Sequence, residues 1–91
     1  HEVGHNFFPM IINNDERQWT WMDEGINSFV QLVTELERYP NDNWNRGLPE
    51  GLVGYMKGDQ SYMRPLMTNS EQIIQFGAEQ YQKAATALYI L

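Results

Sequence analysis

The first half of the chain carries apolar residues at the spacing of an α-helix. Intervals of four, three, four and three positions separate Met22, Ile26, Phe29, Val33 and Leu36. Residues at such intervals share one face of a helix. The pattern therefore predicts a helix from about Trp21 to Glu37, with this aliphatic stripe in the core and Glu24 on the opposite, more polar side.

Shorter patterns predict the elements on either side of this helix. Residues 1–8 are predicted to be helical, and Pro9, which lacks a backbone donor, should kink or end that helix within the next turn. Residues 40–66 hold three of the four prolines and four of the seven glycines, which is typical of an extended loop. A loop of that length is uncommon, so the alternative is a helix around Leu52–Met56 within it.

The last third of the chain is predicted to contain two further helices. Thr68 and Glu71 have the spacing of a capping box, which would begin a short helix through Ile73 to Phe76. Gly77 would end that helix. The final helix then carries Tyr81, and the chain as a whole is predicted to be mainly α-helical.

The composition limits which binding partners and which kinds of metal site are expected. Twelve acidic and six basic residues give a net charge of −6, which argues against nucleic acid and anionic membranes as partners. The chain has no cysteine, so disulfides and thiolate metal sites are excluded and any metal would take nitrogen and oxygen ligands. No apolar run reaches the roughly eighteen residues of a membrane-spanning helix. The cellular compartment and the oligomeric state stay open.

The candidate chemistry begins at the first residue. His1, Glu2 and His5 form the pentad H-E-V-G-H, and eighteen residues separate the pentad from Glu24. If residues 1–8 are helical, the two imidazoles lie one turn apart on one face and can bind a single metal ion, with Glu24 as a third ligand. Three protein ligands leave a position open for water, which is the arrangement of catalytic zinc. The alternative is that both histidines are surface residues of an amphipathic helix.

The segment from His1 to Phe29 resembles the aminopeptidase N family of zinc metallopeptidases. The signature of these gluzincins is H-E-x-x-H, eighteen residues, and a glutamate in a W-x-x-E-G setting, which residues 21–25 reproduce as W-M-D-E-G. Many relatives carry asparagine where this chain has Asp23. The metzincin pattern does not fit, because it requires a glycine and a third histidine soon after the pentad, where this chain has Phe8 and Ile11.

A second segment near the C-terminus is similar to the Y-x-K-G/A-A segment of the same family: Tyr81-Gln82-Lys83-Ala84-Ala85. The resemblance implies that the Tyr81 hydroxyl donates a hydrogen bond to the oxyanion formed during acyl transfer. The alternative is structural, since Tyr81 shares helical spacing with Ala85, Leu88 and Leu91 and would then only anchor a packed helix.

The resemblance also implies a role for the remaining site residues. His1, His5 and Glu24 would bind one zinc ion. Glu2 would act as general base toward the zinc-activated water and would later pass the proton to the leaving amine. Asp23 has two interpretations: it orients a ligand histidine, or it is the acid at the third position of a capping box that begins the predicted helix. The spacing favours the capping box.

The architecture that the resemblance implies is the helical portion of a thermolysin-like catalytic domain. Residues 1–91 would then be a truncated fragment of one metallopeptidase domain, because the upstream β-sheet and the glycine-rich glutamate motif of the family are missing. The implied function is zinc-dependent hydrolysis of peptide or protein substrates, and its aminopeptidase character depends on the resemblance alone. The alternatives are a catalytically silent binding scaffold with the same fold, and a small helical interaction module in which the pentad is a coincidence.

Overall fold

Helices, turns and short irregular stretches make up the described structure. The computed structural model describes residues 1–42 and 46–91, and no β-strand occurs in those two ranges. The α-helices there are α1 (Ile26–Arg38), α2 (Pro49–Lys57) and α3 (Ala84–Ile90). A first π-helical segment (Trp21–Gly25) runs into α1, and a second (Gly77–Lys83) runs into α3. Turns of the 3-10 type lie at Gly4–Asn6, Gln60–Tyr62 and Ser70–Gln72. The prediction of a mainly α-helical fold is confirmed.

The helix predicted from Trp21 to Glu37 is present, although it begins in an unexpected way. Its first turns are π-helical and therefore wider than those of an α-helix. The Thr20 side chain does not cap it, because the Thr20 hydroxyl donates to the Glu16 carbonyl oxygen at 2.6 Å. The predicted capping box is therefore wrong. Instead, Ser70 Oγ accepts a hydrogen bond from the Thr20 backbone nitrogen at 3.1 Å and ties this end of the helix to the C-terminal third of the chain.

The region predicted as a loop contains the alternative helix. Helix α2 spans Pro49–Lys57, longer than the Leu52–Met56 core considered from the sequence. Leu48 is extended, and Pro49 lies in the first turn, where a missing N–H costs no helical hydrogen bond. Residues 43–45, which belong to the predicted loop, lie outside the described residues.

The N-terminal segment forms one 3-10 turn, Gly4–Asn6, instead of the regular helix predicted over residues 1–8. Pro9 is one cause, because its nitrogen cannot donate to the His5 carbonyl oxygen, which accepts from the Met10 nitrogen at 3.4 Å instead. The prediction of a helix is wrong here. The turn nevertheless brings the two histidine rings of the pentad to a centroid separation of 4.9 Å.

The short helix predicted after Thr68 is also different. Asn69 rather than Thr68 provides the cap, since its Oδ1 accepts from the Glu71 nitrogen at 3.0 Å. The capped element is the 3-10 turn Ser70–Gln72, and the chain is already extended at the next residue. Gly77 begins the second π-helical segment and does not end a helix.

The core lies where α1 packs against α3 and where the first π-helical segment packs against the second. Leu32, Ala84 and Ala85 are fully buried. Gly25, in the first π-helical segment, allows that segment to approach α3 closely, because a Cβ at this position would lie 2.3 Å from the Ala84 Cβ. Small side chains thus line this crossing.

The aliphatic stripe of α1 does not form this core. Val33 and Leu36 are 45% and 36% exposed, whereas Asn27 and Ser28 on another face are each 1% exposed. Met22, Ile26 and Phe29 are half-buried. The prediction that the stripe as a whole packs in the core is therefore wrong, because the fully buried apolar residue of α1 is Leu32, which lies outside the stripe. Within the two described ranges, no helix is both long and apolar enough to cross a lipid bilayer.

Candidate metal centre

The structure brings the three predicted ligands together. His1, His5 and Glu24 each offer a ligand atom, and these atoms all lie within 4.8 Å of one another. Glu24 Oε2 is 2.9 Å from His1 Nε2 and 3.3 Å from His5 Nε2. The pentad turn supplies both imidazoles, and the first π-helical segment supplies the carboxylate.

The hydrogen bonds of the two rings determine which nitrogens face Glu24. His5 Nδ1 donates to the Phe8 carbonyl oxygen at 2.8 Å, and His1 Nδ1 lies 2.9 Å from Gln31 Oε1. The orientation of the Gln31 amide is fixed because its Nε2 donates to Glu35 Oε1 at 2.7 Å. In the tautomer with both protons on Nδ1, the two Nε2 atoms that face the Glu24 carboxylate are the ones available to bind a metal ion.

This donor set fits a cation. Two imidazole lone pairs and a carboxylate oxygen at these distances repel one another unless a proton or a metal ion lies among them. Burial disfavours a charged His5, but its hydrogen bond to Phe8 and the charges of Asp23, Glu24 and Glu2 raise the pKa of His5 above its ordinary value. Two nitrogens and one oxygen are also a ligand set that zinc accepts, with a further position left for water.

Asn27 positions the backbone of the first residue. Its Nδ2 donates to the His1 carbonyl oxygen at 2.8 Å. Gly4 allows this contact, because a Cβ at position 4 would overlap the Asn27 side chain. The N-terminal turn is thus held against α1 at the point where the ligands meet.

Asp23 lies beside His5 rather than in a capping box. It is 6% exposed, and its Oδ1 is 3.0 Å from His5 Nδ1. Burial, together with the charge of Glu24, raises the pKa of Asp23 to about 6 against the opposing effect of His5. The position corresponds to the interpretation that the sequence analysis ranked second, a carboxylate that helps to orient a ligand ring.

Tyr81 lies against the same cluster. Its ring is 5.6 Å from that of His1, and its hydroxyl interacts with the Glu24 carboxylate. Burial, followed by this interaction, raises the pKa of Tyr81 to about 12, so the phenol keeps its proton at neutral pH. Glu2, by contrast, is exposed, and its charge contributes to the raised pKa of His5.

Several positioning residues were not predicted from the sequence. Neither Gln31 nor Asn27 was assigned a role from the sequence. The two π-helical segments carry Glu24 and Tyr81 and have no signal in the hydrophobic pattern, although such segments are frequent at functional sites. A cleft of about 340 Å³ also opens beside His1, between Phe7 and Val30.

Comparisons with known proteins identify no family for this chain. No family model, no curated protein and no solved structure matches the chain.

Proposed function

We propose that this chain carries the catalytic centre of a zinc metallopeptidase that hydrolyses peptide bonds. The observation that carries the proposal is the arrangement of His1, His5 and Glu24, whose ligand atoms face one another while both Nδ1 atoms lie at hydrogen-bonding distance from other oxygens. A surface pair of histidines would not need hydrogen bonds that hold both lone pairs toward a third ligand.

The particular activity that we propose is that of an aminopeptidase in a thermolysin-like domain. Its support is the resemblance of His1 to Phe29 and of Tyr81 to Ala85 to the aminopeptidase N family, together with the contact between Tyr81 and Glu24. The two segments are far apart in the sequence, and their meeting in space is a requirement of that family's mechanism.

Each residue has a distinct task in the proposed mechanism. His1, His5 and Glu24 would hold a zinc ion. A bound zinc ion supplies a Lewis acid that lowers the pKa of water from 15.7 to about 7. Glu2 accepts the proton of the attacking water and delivers it to the leaving amine. Tyr81, which stays protonated at neutral pH, donates to the oxygen on which negative charge develops.

The test is hydrolysis of aminoacyl chromogenic substrates by the complete protein loaded with zinc. Glu2→Gln should retain zinc and lose roughly 10²–10⁴-fold in kcat, the range expected for general acid–base catalysis. Glu37→Gln is a matched control, because this exposed acid lies on the last turns of α1 and away from the cluster.

Two results would contradict parts of the proposal. If Glu2→Gln keeps its turnover, Glu2 is not the general base. If the wild-type protein binds zinc and hydrolyses no peptide bond, the chain is a silent scaffold and not an enzyme.

A further inference from the structure

The turn at residues 46–48 places the positive charge of Arg46 beside the candidate metal centre. The guanidinium carbon of Arg46 lies 5.2 Å from the centre of the Tyr81 ring, and that ring lies 5.6 Å from the ring of His1. An extended peptide advances roughly 3.3–3.6 Å per residue, so these separations span at most about three residues of a bound peptide.

This turn is fixed to the segment that carries Tyr81. Gly47 has a φ of 98°, which favours glycine, and a Cβ there would lie 2.8 Å from Leu32 Cδ2. The Gln82 side chain accepts a hydrogen bond from the Gly47 nitrogen at 2.9 Å and donates to the Leu48 carbonyl oxygen at 3.1 Å. Since Gln82 follows Tyr81 in the second π-helical segment, the arginine and the tyrosine are held as one unit.

Arg46 has hydrogen-bond donors available for a ligand. Its side chain is exposed, and within residues 1–42 and 46–91 its described contact is the one with the Tyr81 ring, with no ion-pair partner. A cation–π contact uses the face of the guanidinium and leaves its N–H donors free. Their planar fork matches the two oxygens of a carboxylate.

We propose that Arg46 binds a carboxylate of the peptide substrate, so that the enzyme prefers peptides with a negative charge within about three residues of the cleaved bond. This inference rests on the peptidase function proposed above. The carboxylate is either the C-terminus of a short peptide or the side chain of an aspartate or glutamate, since both present the same pair of oxygens. The acidic residues of the centre repel such a group, so without Arg46 the preference should turn toward neutral peptides.

The test uses two matched pairs of tripeptides with the complete, zinc-loaded protein. One pair is Ala-Ala-Ala as the free acid and as the amide, and the other is Ala-Glu-Ala amide and Ala-Gln-Ala amide. We expect kcat/KM to be about tenfold higher for the charged member of at least one pair, mainly through a lower KM, because hydrogen bonds to charged groups contribute differences of this size. The pair that shows the preference identifies the source of the carboxylate.

The variants assign the preference to one side chain. Arg46→Gln should bring the ratio to one or below, and Arg46→Lys should keep part of it because the charge remains without the fork. Arg38→Gln is the matched control, since Arg38 is an exposed arginine at the far end of α1, and it should keep the full ratio.

The outcomes separate this inference from the proposed function. Ratios near one in both pairs, or a ratio that survives Arg46→Gln, overturn the role of Arg46 while hydrolysis itself continues. If no peptide is hydrolysed, calorimetric titration of the Glu2→Gln protein decides the question. Tighter binding of the free acid than of the amide, lost when Arg46→Gln is added, supports the role of Arg46, and equal binding overturns it.

Discussion

In the helix that spans residues 21–38, buried polar residues lie on one face and exposed apolar residues on another, unlike in an ordinary amphipathic helix. The face toward the N-terminal turn and α3 carries Asp23, Asn27 and Ser28, all buried, whereas Val33 and Leu36 on the other face are exposed. Two of these buried polar groups have structural roles. Asn27 holds the His1 backbone, and Asp23 contacts His5. Two buried positions of this helix, Asp23 and Asn27, therefore serve the candidate metal centre rather than an apolar core.

From the same comparison, we expect the stability of the fold to depend mainly on one small crossing. Leu32, Ala84 and Ala85 are the fully buried apolar side chains of the described residues, and they lie next to the polar groups that hold the site. Changes at this crossing should consequently affect stability and the proposed zinc site together, while changes at the exposed Val33 and Leu36 should affect neither. The following variants test this division.

Leu32→Ala against Val33→Ala should give the largest contrast. Leu32 is fully buried and Val33 is 45% exposed, so we expect a loss of about 2–5 kcal/mol in the free energy of unfolding for the first and a value within about 0.5 kcal/mol of wild type for the second. Urea denaturation followed by circular dichroism measures both. Equal losses in the two variants would show that the stripe is as important to the fold as the crossing.

Gly25→Ala tests the closeness of the crossing. The new Cβ would lie 2.3 Å from the Ala84 Cβ and 2.9 Å from the Gln80 carbonyl oxygen, so the helices must separate, at a cost of about 1–3 kcal/mol for overpacking. Because Tyr81 lies on the displaced segment, its interaction with Glu24 should weaken as well.

Gly54→Ala is the control for this change. Gly54 lies in α2, and a Cβ there would have no atom within 4 Å. It should stabilise the protein by roughly 0.5–1 kcal/mol through helix propensity. If Gly25→Ala is equally stabilising, the close approach at Gly25 is not required.

Gln31→Leu should produce a smaller effect that is limited to the affinity for zinc. The variant removes the acceptor that holds His1 Nδ1, and loss of such a partner typically lowers metal affinity by about 10–100-fold. Competition with a zinc chelator of known affinity measures the change. Glu35→Gln, which keeps an oxygen within reach of the Gln31 amide, should bind zinc nearly as tightly as wild type, and an unchanged affinity in Gln31→Leu would remove Gln31 from the site.

Local sequence patterns predicted much of the secondary structure and all of the candidate ligands. The spacing of apolar residues located the helix around Ile26–Arg38 within a few residues, and the pentad with Glu24 identified three side chains that do meet. These predictions succeed because both depend on fixed intervals along one chain.

The parts that could not be predicted depend on contacts between distant segments. Ser70 at the start of the first π-helical segment, Gln31 behind His1 and Arg46 beside Tyr81 each act on a residue far away in the sequence. Likewise, the close approach of Gly25 to Ala84 lies at the buried crossing, and a hydrophobic pattern contains no information about that partner.

The measurement that tests the central claim most directly is the zinc content and zinc coordination of the complete protein, by metal analysis and X-ray absorption. We predict one zinc per chain, bound only by nitrogen and oxygen atoms at about 2.0–2.2 Å, and loss of that zinc in His5→Ala. A protein that retains no zinc, or one whose bound zinc is unaffected by His5→Ala, would contradict the account.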